Sequence, residues 1–250
     1  MNRKLVATLA CRNNGSRLYG KPLQNLDPKR QISIIDHIIY TLSNLDIIDD
    51  IAFAISEGVE NEIFIEIAKE KGLSYIIGDE KDVLMRLIKC GRNSKATDIF
   101  RVTTESPFLF YQKGKELWNA HKKKLADATF LDNIIDGCGF EIINIDALEK
   151  SHHEGNSRHR SELCSLYIRE NQNLFNILKF DPPKDLSRND LRLTVDNPED
   201  LIVCREVYKK FVNEHAMINL HDVVKFLDSN IFLKNLIKPY TDTGYATMYI

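Results

Sequence analysis

Three cations and two glycines crowd one short stretch near the N-terminus: Arg12, Gly15, Arg17, Gly20 and Lys21. Glycine lets a main chain approach a polyphosphate closely, backbone N–H groups can form an anion nest, and arginine and lysine add charge-assisted hydrogen bonds. Ala10, Arg12, Asn13, Gly15, Ser16, Arg17 and Lys21 are therefore candidate phosphate-binding residues, with Arg12, Arg17 and Lys21 the cations that would act in a phosphoryl-type transfer. Gly15 to Lys21 also satisfies G-x-x-x-x-G-K. A P-loop, however, needs Ser or Thr next and a helix at once, and Pro22 brings neither a hydroxyl nor an N–H. The plain alternative is a solvated basic loop.

The second group of candidates is acidic. Leu191–Val195 is a β-like run that ends at Asp196, and Asn197-Pro198-Glu199-Asp200 suits a helix start, with an N-cap, a proline in the first turn and acids on the helix dipole. Capping accounts for Asn197 through Asp200 and leaves Asp196 without a structural duty. Asp82 and Arg86 are four apart on one helical face, so they either pair with each other or present Arg86 to a ligand. His152, His153 and His159 cluster, but His159 follows His153 at i+6, off the helical face that H-E-x-x-H zinc chemistry requires. No G-x-S-x-G elbow occurs, and no G-x-G-x-x-G follows the first apolar run.

The elements that must position these residues alternate. Leu5–Leu9, Ile51–Ile55, Leu73–Ile77 and Ile99–Val102 read as strands, separated by helical patterns near Ser33–Leu45, Asn61–Lys71 and Asp82–Asn93. Such alternation predicts a mostly parallel sheet covered by helices, with ligands outside the carboxyl ends of its strands. Beyond Glu141 the pattern mixes: strands at Ile142–Ile145, Phe175–Phe180 and Leu191–Val195, helices at Ser161–Arg169, Pro198–Val212 and Leu220–Asp228. This predicts completion of the same domain with a small inserted α+β subdomain.

The 250 residues suit a single domain spanning 1–250. The 34 Lys+Arg and 36 Asp+Glu leave no electrostatic footprint for polymeric nucleic acid. The N-terminal apolar stretch is too short for a signal sequence or a membrane span. Five scattered cysteines without a C-x-x-C pair argue against a disulfide framework or zinc knuckle and for a reducing cytoplasm.

Arg12 to Leu23 resembles the signature loop of the CMP-sugar synthetases within the cytidylyltransferase superfamily, where R-x-x-S-x-R-L-x-G-K wraps the triphosphate of CTP. The likeness is to the branch typified by spore coat polysaccharide biosynthesis protein F, related to the CMP-Kdo and CMP-acylneuraminate synthetases. One extra residue separates Arg12 from Ser16 here. Gly78 to Arg86 is similar to G-s-e-x-D-V-L-x-R, beside the nucleotide, which adds Asp82 and Arg86. Arg101 to Phe108 is similar to R-x-T-x-D-x-P, adding Thr103, with Glu105 standing where that family has a metal-binding aspartate. Leu191 to Leu201 matches L-R-L-T-V-D-T-P-E-D-L.

What the resemblance implies is a Rossmann-like (GT-A-like) nucleotidyltransferase fold, CTP as substrate, and Mg²⁺ held by Glu105 and Asp196. Asp136 to Glu141 resembles the acceptor-facing D-G-x-d-v-E. Arg160 to Ile168 aligns with R-E-H-V-T-x-Y-I, with Ser161 and Leu163 in place of the arginine and histidine. Asp136, Glu141, His159, Arg160 and Glu162 are thus the acceptor-binding candidates. The implied reaction transfers CMP to a sugar or sugar-like, possibly phosphorylated, acceptor and releases pyrophosphate. A cytoplasmic homodimer is expected, with residues 140–185 as subdomain or dimerisation element. The rivals are a GT-A-type glycosyltransferase, whose D-x-D motif Thr104-Glu105-Ser106 does not supply, and a nucleotide-binding homologue without turnover.

Overall fold

The computed structural model describes residues 3–15, 17–212 and 217–247. The chain opens with β1 (Leu5–Cys11), then a short hairpin of β2 (Asn25–Asp27) and β3 (Ile32–Ser33), then α1 (Ile34–Ser43). It continues through β4 (Asp50–Ser56), α2 (Ile63–Glu70), β5 (Ser74–Gly78), α3 (Val83–Asn93) and β6 (Asp98–Arg101). Next come α4 (Gly114–Lys124), β7 (Ala128–Leu131), β8 (Glu141–Asn144), α5 (Ile145–Glu154), α6 (Leu166–Glu170) and β9 (Ile177–Phe180). It closes with α7 (Pro198–Phe211), α8 (Leu220–Asp228) and α9 (Ile231–Thr247).

Seven strands form one sheet in the order β5-β4-β1-β6-β8-β7-β9. β8 runs antiparallel to both its neighbours, and the remaining pairs are parallel. Because β8 is reversed, its first residue, Glu141, lies opposite Arg101, the last residue of β6. The carboxyl ends of the parallel strands and the amino end of β8 therefore share one rim. β1 is apolar except for Thr8, as a central strand covered on both faces requires, and all its residues but Ala10 are buried.

Local signals explain the helix starts. Ser33 accepts from the Asp36 N–H while the Asp36 carboxylate takes the Ser33 N–H, a reciprocal capping box at α1. Asp82 caps α3 by accepting from the Met85 N–H. At α7 Asp200 reaches back to accept the N–H groups of both Asp196 and Asn197. Below the sheet, fully buried Asp98 is held by Arg3 and His121, which compensates a charge that would otherwise be costly to bury.

The early strands and helices fall where the periodicity predicts them, within a residue or two at each end. The second half differs in several places. The helix expected over Ser161–Arg169 is only Leu166–Glu170, because Ser161 turns the chain by donating its hydroxyl to Arg158 O, and Arg160 O accepts from the Leu84 N–H of α3. Residues 140–185, expected to form an inserted subdomain, supply β8 and β9 to the main sheet. The helices α4, α5 and α9 and strand β7 carried no expectation.

Leu191–Val195, expected as a strand, joins the sheet nowhere and makes one isolated bridge, Arg192 to Asp136. Its backbone is spent on two loops instead. Leu193 N–H donates to Asp136 O (2.8 Å) and Val195 N–H to Glu105 O (2.9 Å). This extended segment draws together the chain after β6 and the chain after β7. The fit is close at Gly137, whose φ is +87° and where a Cβ would stand 2.5 Å from Thr194 N. Gly137→Ala is expected to lower the free energy of unfolding by about 2 kcal/mol or more, since both the backbone angle and the contact oppose a side chain. Urea denaturation followed by the fluorescence of Trp118 would measure it.

Candidate active site

A cavity of about 760 Å³ opens at the shared rim. Of the sequence candidates, Ala10, Arg12, Asn13, Gly15, Arg17, Lys21, Arg86, Thr103, Glu105, Asp136, Glu141, Glu162 and Asp196 line it. Asp82, His159 and Arg160 do not. The second oxygen of Asp82 meets His152 Nε2 at 2.7 Å, His159 pairs with Glu170, and Arg160 donates to His152 O. Ser16 lies outside the described residues.

The loop after β1 is pinned rather than free. Asn13 N–H donates to Asn61 Oδ1, its side-chain amide donates to Glu60 O, and Gly20 N–H closes back onto Asn13 O at 2.9 Å. Gly20 takes the left-handed conformation, and a Cβ on Gly15 would stand 2.4 Å from Leu18 O. The glycines thus serve the fold of the loop itself, and that fold aims its cations. Lys21 and Arg17 both reach Asp196 Oδ1, at 2.5 and 3.3 Å, while Arg12 pairs with Glu162 across the mouth.

Asp196 is gripped from the protein side as well. Arg192, only 4% exposed, bonds Asp196 Oδ2, Asp136 and Asp200 together. Burial works against the ionised form of Asp196, but Lys21, Arg192 and Arg17 outweigh it and hold its carboxyl below the usual range. Glu105 goes the other way. Burial raises its carboxyl, Lys21 pulls it down and the nearby charge of Asp196 pushes it up, with a net upward shift. Two carboxylates close enough to repel, beside an open cavity, form a hard-oxygen donor pair of the kind Mg²⁺ accepts alongside phosphate oxygens and water. Among the described residues no group of three or more His, Cys, Asp or Glu side chains forms a metal cluster.

The opposite wall is built from arginines the sequence reading did not single out. Glu141 accepts from Arg101 (2.8 Å), Arg169 (2.9 Å) and the Ser165 hydroxyl (2.7 Å). Burial would raise its carboxyl, but the two arginines and the hydroxyl overcome this and bring it down to about 2. Arg169 also forks onto Asp132. Arg101 and Arg192 sit inside the quoted matches, in Arg101-Val102-Thr103 and Leu191-Arg192-Leu193. Their positions were on view and their duty was not, because it depends on which carboxylates the fold brings near. Arg169, four residues after Ser165, carried no signal.

Arg86 is 1% exposed, and Gly78 leaves room for it, since a Cβ there would meet Arg86 Cγ at 2.9 Å. Its Nη1 donates to Asp79 O and Glu80 O, its Nε has no partner, and no carboxylate among the described residues pairs with it. Thr8 Oγ1 and Asn13 Oδ1, also on the cavity wall, are buried without partners too. Unsatisfied buried polar atoms are rare and costly, which sets these three residues of the cavity wall apart. Arg86→Met is expected to weaken nucleotide binding about tenfold or more with little loss of stability. Calorimetric titration beside a thermal melt would separate the two effects.

Asp136 shares Arg192 with two other carboxylates, and burial pushes its carboxyl up to about 6 despite that arginine. The folded-state value exceeds the ordinary 3.8, so the proton favours the fold. That stabilisation is complete below the unfolded value and is lost as pH rises through about 6. An Asp136→Asn variant keeps the neutral form throughout, so its stability relative to the parent chain is expected to climb between pH 4 and 7. Urea midpoints across that range check this; a constant difference would contradict it.

A parallel sheet with one reversed strand, and a polar, cation-rich cavity at its carboxyl rim, is the nucleotidyltransferase-like fold seen in cytidylyltransferases. A cytidylyltransferase from Leptospira borgpetersenii superimposes with a TM-score of 0.83 at 18% identity, covering 95% of this chain and 98% of its own. A CMP:2-keto-3-deoxy-manno-octonic acid synthetase complexed with CTP gives 0.60 at 14% identity, over 83% and 99%. In sequence, an uncharacterized protein of Methanocaldococcus jannaschii is 28% identical over 233 residues, 93% of this chain and 94% of that protein. The spore coat polysaccharide biosynthesis protein SpsF of Bacillus subtilis is 25% identical over 232 residues, 90% and 95% of the two chains. No family model matches. Over most of its length the chain is thus similar in fold to a cytidylyltransferase and a CTP-complexed synthetase, and in sequence to SpsF. Among the described residues no helix is long and apolar enough to cross a membrane.

Proposed function

We propose that this chain is a cytidylyltransferase that transfers CMP from CTP to a sugar or sugar-like acceptor, releasing pyrophosphate, in the making of activated precursors for surface polysaccharide. The observation that carries the reading is the meeting, at one cavity, of the loop cations Arg17 and Lys21 with the carboxylates Asp196 and Glu105. Transfer of a nucleotidyl group asks for in-line positioning and for neutralisation of charge on phosphate and leaving group, and needs no covalent enzyme intermediate.

In this reading Arg12, Arg17 and Lys21 hold the β- and γ-phosphates and take up the charge that grows on departing pyrophosphate. Arg86 and the pinned loop hold the nucleoside end in the half-dry corner beside α3. Asp136 and the Arg101–Glu141–Arg169 wall border the acceptor half. Mg²⁺ would be held by Asp196 and Glu105, and when bound it supplies polarisation of the α-phosphate and a lowered pKa for the attacking acceptor oxygen. Cytidine as the base, and surface polysaccharide as the destination, are supported by what the similar proteins are called.

The test is pyrophosphate release with each nucleoside triphosphate and Mg²⁺ against 2-keto sugar acids, sugar phosphates and other phosphorylated small molecules. Pyrophosphate is expected with CTP and one class of acceptor, and Arg17→Ala is expected to cut kcat/KM by about a hundredfold. Silence from every pair, in protein that still binds nucleotide, would sink the reading and leave a binding homologue in its place.

A further inference from the structure

The cations assigned above to the triphosphate both rest, in this structure, on the carboxylate assigned to the metal. Lys21 Nζ and Arg17 Nη2 converge on one oxygen of Asp196, Oδ1, at 2.5 and 3.3 Å. The other oxygen, Oδ2, belongs to Arg192. These two grips differ in kind. Arg192 is buried and tied at the same time to Asp136 and Asp200, so it cannot leave without stranding three carboxylates. Arg17 is 52% exposed at its side chain and Lys21 19%, and both reach in from the loop side of the cavity.

An ammonium and a divalent cation compete for a single carboxylate oxygen, because each repels the other at that range. A polyphosphate offers lysine and arginine several charge-assisted acceptors in place of one. We propose that Lys21 and Arg17 mask Asp196 Oδ1 until a nucleotide polyphosphate draws them away, so that nucleotide and divalent cation each raise the other's affinity. Arg192 keeps hold of Oδ2 throughout and stops the freed carboxylate from turning. The inference rests on the reading of this cavity as a triphosphate site, and it adds an order to that site: the loop must let go of Asp196 before metal can take it. Linkage makes the coupling reciprocal, so each partner can be tested without the other.

Two binding measurements decide it, neither of which needs turnover. In the first, Mn²⁺ alone is titrated into nucleotide-free protein and followed by electron paramagnetic resonance. Lys21→Met is expected to bind Mn²⁺ about tenfold more tightly than the parent chain, and the double variant Lys21→Met/Asp196→Asn to lose the gain. In the second, CTP is titrated calorimetrically in EDTA. Asp196→Asn keeps the shape of the side chain and frees both cations, so metal-free CTP is expected to bind about tenfold more tightly. In a Lys21→Met background, where the ammonium to be freed is absent, the same change is expected to raise that affinity less, whereas loss of a repelling charge alone would raise it equally in both. Parent-like affinities in either measurement, in protein that binds CTP with Mg²⁺, overturn the masking. A chain that binds no nucleoside triphosphate under either condition overturns the reading of the cavity instead.

Discussion

The grip of Arg192 on three carboxylates is the constraint to which the rest of the site answers. A guanidinium buried this deeply must be paired, and its partners come from three places: Asp136 after β7, Asp196 at the end of an extended segment, and Asp200 in the first turn of α7. One cation among three anions leaves a local excess of negative charge. Two consequences follow. That excess adds to the burial that already pushes Asp136 toward its neutral form, and it leaves Asp196 attractive enough to collect two further cations from the loop after β1. The phosphate loop and the carboxylate centre are joined by this charge arithmetic, although some 175 residues separate Lys21 from Asp196.

Geometry makes the arithmetic possible. Segment 191–196 gives its N–H groups to the carbonyls of Asp136 and Glu105, so the loops after β6 and β7 are fixed relative to each other through backbone before any side chain acts. Gly137 permits the close approach on one side. The reversal of β8 completes the rim by setting Glu141 opposite Arg101, which brings what would be a remote strand end onto the cavity wall.

How much of this was legible beforehand depended on range. In the parallel half, β1, β4 and β6 could be read as apolar runs that the sheet buries, and α1 and α3 as amphipathic helices with local caps at Ser33 and Asp82. Helix α8 was read for the same reason. Leu191–Val195 misled because burial on all sides produces the same apolar run in a sheet strand and in a segment buried between loops; the bridge to Asp136 and the bond to Glu105 O are non-local. The four-residue strand β7 is too short to show a period, and the lysine-rich end of α4 reads as solvated surface. In the site, loop composition pointed to Arg12, Arg17 and Lys21 and the capping pattern set Asp196 apart, and the fold brings all four to one cavity. Asp82 had a local duty at α3 that a cap reading would have found, and Arg192 was hidden by the remoteness of its partners.

The two halves of the cavity hold their charges differently, and this separates what can move from what is fixed. Around Glu141 the pairs are saturated, since it accepts from Arg101, Arg169 and Ser165, and Arg169 is further fixed on Asp132 and lies over the face of Phe130. Rearranging any one of these would strand another, so that wall is held rigidly. Around the loop after β1 the pairs join its cations to two carboxylates, Arg17 and Lys21 to Asp196 and Arg12 to Glu162, and an anion arriving from solvent can compete for those cations. A rigid wall facing exchangeable cations is an arrangement in which an arriving anion supplies the adjustment. The protein supplies the frame, and that frame depends on Arg192 staying where it is.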